Sequence, residues 1–187
     1  PNIHPPLFPG LVLLADLVVG WRDAVLMAMS LAFALYVVAV YALLRRWHRR
    51  SFAWFGAVLA ATSPVLAEIL GWGGGANLLG FAALIGACAA AERWTETGRG
   101  ALVSGVLCGC AGASHPLAGV LALVMVIGIV AAKSVFARRI PPRSLRAALL
   151  FGLGGLPFVA GAGYYYLSVS SPSQTTFGLP DLGADER

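Results

Sequence analysis

"ALVSGVLCGCAGASHPLAGVLALVMVIGIVAA", residues 101–132, carries no charged side chain. One straight helix over this stretch would be about 48 Å long at about 1.5 Å per residue, against about 30 Å of bilayer hydrocarbon. Basic segments flank it on both sides: ERWTETGRG (92–100) before and KSVFARRIPPRSLR (133–146) after. If both face the same compartment, the chain has to turn back on itself. Ser114-His115-Pro116 supplies the break, because Pro116 donates no backbone hydrogen bond and pushes His115 out of the helical region. The stretch therefore predicts a short helical hairpin, with arms at 101–115 and 116–132 and His115 at the outer tip.

The rest of the chain has the same solvent. Of 187 residues, 59% are hydrophobic and 11% are charged, where a soluble domain carries about 25% charged. Further apolar runs at 24–44, 52–72, 75–91 and 147–168 bring the expected number of crossings to six. The expected fold is all-α: a polytopic integral membrane helix bundle spanning 24–168. An N-terminal juxtamembrane helix precedes it within an extracytoplasmic segment, 1–23, where LFPGLVLLADLVVG (7–20) is apolar but interrupted by Asp16. The polar, Gly- and Pro-containing 169–187 reads as an extracytoplasmic tail. The chain opens at Pro1 within PNIHPP, without an initiator Met, and reads as a fragment of a longer protein. No signal peptide is visible, since the first apolar run lacks a basic leader.

Eleven of the thirteen Lys and Arg residues lie in RRWHRR (45–50), ERWTETGRG and KSVFARRIPPRSLR, which are alternate loops of this map. That asymmetry places all three loops in the cytoplasm. The net charge of +5 is thus a topology signal. No nucleic-acid partner is expected, because no basic face interleaved with aromatics exists. The partners expected are membrane lipids, and the expected location is the bacterial inner (plasma) membrane. Cys88, Cys108 and Cys110 all sit in apolar runs with neither a disulfide framework nor zinc spacing. They read as small hydrophobes. No metal and no cofactor is expected.

The outer face then collects NIHPP, the loop GWGGGAN (71–77), the SHP tip and the tail. Tyr164, Tyr165 and Tyr166 suit an aromatic belt there. The glycine loop lacks the Lys-Ser/Thr and the preceding strand of a nucleotide-binding loop. Two readings stay open: a tight turn with Asn77 capping the next helix, or a set of amides around Gly74 and Asn77 lining an anion concavity. Glu68 lies about one turn before that loop, and an acid within a span is a functional candidate. His115 could hold an anionic head group or satisfy neighbouring carbonyls. His4 lies in an extended Pro-rich segment. The small residues Ala101, Gly105, Gly109, Gly112 and Ala113, and later Gly152, Gly155 and Gly163, have the spacing of close helix packing.

Taken in order, HPPLFPGLVLLADLVVGW, YALLRRW, GAVLAATSPVLAEILGWGGGANLLGFAALIGACAAAERW and ALVSGVLCGCAGASHPLAGVLALVMV resemble a known pattern. It is the middle of the GT-C superfamily of membrane glycosyltransferases, of the dolichyl-phosphate-mannose-protein mannosyltransferase type. The resemblance covers roughly residues 3–130. It implies an enzyme that takes a sugar from a polyprenyl-phosphate carrier on the outer face, with its catalytic carboxylate in a loop upstream of the His-Pro-Pro segment. His4 would border the donor phosphate. Glu68, Gly74 and Asn77 would line the same cavity, and His115 would match the Ser/Thr-His-Pro break. Leu26 and Met27 stand where the family has an Arg before a Ser-Ala-Leu stretch, and glycines replace the charged pair that commonly follows Ser-Pro. Two other classes fit the composition: a transporter subunit, with discontinuous helices around a midplane site, and a non-catalytic multi-pass scaffold.

Overall fold

The computed structural model describes residues 6–64, 66, 74–136 and 144–169, with side chains in the last stretch from 146 to 161. Among these the chain is helical and contains no strand. The helices are α1 (Leu7–Val19), α2 (Trp21–Trp47), α3 (Arg50–Ala61), α4 (Gly75–Thr97), α5 (Ala101–Ser114), α6 (Pro116–Phe136) and α7 (Ser144–Val169). Their breaks follow local chemistry. Gly20, at φ 81°, separates α1 from α2, and Gly98, at φ 70°, ends α4 with its N–H on the Trp94 carbonyl at 2.8 Å. Pro116 opens α6, where its missing N–H leaves no bond unmade.

Three helices, α2, α4 and α6, are long and apolar enough to cross a membrane. Of the other apolar helices, α1 has 13 residues and α5 has 14, or about 20 and 21 Å. A described helix overlaps each of the six expected runs, but α3 (Arg50–Ala61) covers only the first half of 52–72, and among the described residues only α2, α4 and α6 have the length and apolarity of a crossing.

Neighbour contacts set the directions. At one end of α4, Gly80 passes the Cβ atoms of Ser114, His115 and Ala118; at the other, Glu92 meets Lys133. So α4 runs antiparallel to α5 and parallel to α6. Ala32 packs with Leu78 and Leu79, and Arg46 pairs with Glu96, so α2 is parallel to both. Ala101 lies with Ala147, and Gly109 with Phe158, so α7 is parallel to α5. The segments 45–50 and 92–100, with Lys133, therefore gather at one end, called here the basic end. The hairpin turning at His115 is present, as the neutral 101–132 stretch required: Val130 returns to pack beside Ala101.

The interior is made of small residues. Ala87, Ala91, Ala111 and Ala122 are fully buried, while Leu17 and Phe136 are more than four-fifths exposed. In water such an inverted arrangement would be a large sticky surface; in lipid it is how helices approach closely. Together with the three long apolar helices, it identifies a membrane-embedded bundle. Cys88 and Cys108 are buried in this interior.

The small-residue spacing works for α5 but needs one correction for α7. A Cβ on Gly105 would overlap the Phe151 carbonyl, and one on Gly154 would lie 2.5 Å from the Leu102 carbonyl. At Gly152 a Cβ would meet nothing within 4 Å. The contact face of α7 thus runs through Gly154 and Gly155: spacing picked Gly155 correctly, but Gly152 lies off the contact and Gly154 takes its place.

Candidate functional site

The end opposite the basic loops is where the sequence placed its candidates. His4 and Glu68 lie outside the described residues. Gly74 is the N-cap of α4, at φ −75° and ψ 30°, and its carbonyl accepts the Leu78 N–H at 3.0 Å. Asn77 is exposed and does not cap the helix. The helix begins at Gly75, two residues before it, and no side chain caps α4. A glycine N-cap costs little compared with Ser or Asn, so the turn can close without one. The N–H groups of the first turn of α4 then keep no partner within the helix.

His115 is held by its main chain. Its N–H donates to the Ala111 carbonyl at 2.8 Å and its carbonyl accepts the Gly119 N–H at 3.1 Å. Its φ of −157° and ψ of 120° are extended, as the following proline requires. Backbone satisfaction leaves the half-buried imidazole free for other use. Beside it, the buried Ser114 Oγ donates back to the Cys110 carbonyl at 2.8 Å.

Three segments converge here. A Cβ on Gly80 would be 3.2 Å from those of His115 and Ala118. Asn77 and Gly74 are one to two turns further along α4, about 5 and 9 Å beyond Gly80. The Phe8 ring lies so close to Gly75 that any side chain there would collide with it. Leu7, Phe8 and Leu11 also cover Leu66, Leu78 and Leu79. The residues just after His4-Pro5-Pro6, the end of the glycine loop and the hairpin tip thus share one end of the bundle.

A second polar constellation, absent from the sequence reading, lies at the basic end. Glu92 is only 3% exposed. Its Oε2 is 2.5 Å from Lys133 Nζ, which also lies 3.5 Å from Glu96 Oε1. Arg46 Nη1 is 3.6 Å from Glu96 Oε2. The chain Arg46–Glu96–Lys133–Glu92 ties together the ends of α2, α4 and α6. Glu92 Oε2 and Lys133 Nζ thus form a close charged contact between α4 and α6. The signal was in the sequence: Glu92 and Glu96 are four apart, on one helix face, and close an Ala-rich apolar run. Two carboxylates so placed need cations at the matching ends of neighbouring helices.

No protein-family model, curated protein or solved structure matches this chain.

Proposed function

We propose that this chain is part of a membrane glycosyltransferase that uses a polyprenyl-phosphate sugar at the membrane face opposite the basic loops. One observation carries the reading: Phe8, Gly75 and His115, each beside a motif of the GT-C resemblance, belong to segments that converge at one end of the bundle. In this reading α3, α5 and α7 complete six crossings, and the basic loops face the cytoplasm. The free N–H groups at the start of α4, with Asn77 and His115, receive the donor phosphate and stabilise the charge that builds on it as the sugar leaves. The GT-C resemblance would add His4 and Glu68 to the same site. A carboxylate upstream of His4 takes the proton of the acceptor hydroxyl.

The test is transfer by the full-length protein in proteoliposomes, supplied with polyprenyl-phosphate mannose or glucose labelled in the sugar. His115→Ala is expected to slow turnover about a hundredfold, the usual effect of removing one donor to a developing anion. Neither binding nor transfer of either donor by the wild-type protein overturns the reading. A non-catalytic scaffold is favoured by a different observation: the buried Glu92 and its partly exposed partners tie helices together at the other end. A protein inactive in the assay but required for a neighbour's assembly would fit that reading instead.

A further inference from the structure

Beside α6, at the basic end, runs an open cleft of about 630 Å³. Met125, Gly128, Ile129 and Phe136 form an apolar wall, and Glu92 and Lys133 supply its polar groups. From Val124 to Lys133 the wall rises about 14 Å, close to the hydrocarbon depth of a single leaflet, about 15 Å. A chain lying here would therefore have its head at the charged pair and its tail toward the membrane centre.

The polar end has unused capacity. Lys133 carries three donors. Glu92 and Glu96 occupy two directions, and the side chain remains 38% exposed. Glu92 is nearly fully buried, its Oε2 against Lys133 Nζ at 2.5 Å, and its side chain forms part of the cleft wall. The cluster has two carboxylates, Glu92 and Glu96, against two cations, Arg46 and Lys133. With no net charge it offers no general attraction for an anion, but it presents one group of each sign to the cleft. Gly128 leaves room beside this pair, since a Cβ there would meet nothing within 4 Å.

We propose that this cleft holds one zwitterionic phospholipid from the leaflet at the basic end, its ammonium donating to the Glu92 carboxylate and its phosphate accepting from Lys133. The headgroup has to carry N–H donors, which selects a primary ammonium over a quaternary one. This site is at the opposite end of the bundle from the proposed sugar-transfer site and stands independently of it.

Native mass spectrometry of the full-length protein, exchanged in detergent with phosphatidylethanolamine, phosphatidylcholine or phosphatidylglycerol of identical chains, tests it. One phosphatidylethanolamine is expected to be retained at least tenfold over the other two. Glu92→Gln is expected to reduce that preference by removing the carboxylate charge. Gly128→Leu is expected to abolish retention by filling the cleft, with the charged cluster intact and the circular dichroism unchanged. Equal retention of the three lipids, preference for phosphatidylglycerol, or retention indifferent to Gly128→Leu would each overturn the proposal, leaving only annular lipid or attraction to the exposed arginines.

Discussion

Lys133 Nζ lies 2.5 Å from Glu92 Oε2, joining the last turn of α6 to a carboxylate that is 3% exposed on α4. A buried carboxylate that loses its cation is left uncompensated, which costs about 3–5 kcal/mol, whereas removing both charges together is often neutral. Lys133→Met should therefore destabilise the bundle by about 3 kcal/mol, and the double variant Glu92→Met/Lys133→Met should recover most of that loss. Reversible unfolding in mixed micelles measures both. A double variant no more stable than the single one would show that the pair is not coupled.

The α5–α7 contact makes a sharper steric prediction. At Gly105 an added side chain meets the Phe151 backbone, which cannot step aside. Gly105→Leu should cost at least the 1–3 kcal/mol typical of overpacking. Gly152→Ala, on the open side of α7, should be neutral or slightly stabilising, since glycine is the poorer helix residue. Similar unfolding midpoints for the two variants would contradict the helix contact.

Ser104 and Ser134 separate packing from local bonding. Ser104 Oγ donates across to the Ala87 carbonyl on α4 at 3.0 Å, while Ser134 Oγ donates to Val130 on its own helix at 2.7 Å. Ser104→Ala should cost about 0.6 kcal/mol, the average for an interhelical bond in a membrane. Ser134→Ala should be close to neutral. Equal effects in the same unfolding assay would mean that the cross-helix bond contributes nothing.

Topology can be read chemically. With Cys88, Cys108 and Cys110 replaced by alanine, single cysteines at the exposed positions Arg49 and Arg99 should be labelled by an impermeant maleimide from one and the same side. Labelling from opposite sides would break the parallel arrangement of α2 and α4 and the sidedness drawn from the basic loops.

The residues made some parts of this architecture legible and hid others. The hairpin at His115 followed from length alone, because a neutral stretch between two like-facing basic loops has to return. The end-to-end convergence of α1, α4 and the hairpin also followed from counting crossings. The capping of α4 did not, since a glycine can close the turn and leave Asn77 exposed. The contact face of α7 was legible only in part: spacing found Gly155 but chose Gly152 over Gly154, because which of them meets the α5 backbone depends on the rotation of the helix. For the Arg46–Glu96–Lys133–Glu92 chain, the two carboxylates four apart on one face were a legible signal, but their cations, Arg46 and Lys133, lie far away in sequence and each resembled a loop charge.

The brevity of α5 has a consequence for the surrounding membrane. With 14 residues against the 27 of α2, it reaches about half as far, roughly 21 Å against 40 Å. His115 consequently sits near the level of Ala32, about 16 Å below the start of α2. Lipid meeting the α2 flank has to stretch or let that helix tilt. The shortfall of α5 is confined to that one arm, since its hairpin partner α6, with 21 residues, is about 31 Å long; any thinning, at a fraction of a kcal/mol per Å, is needed only where α5 itself faces lipid.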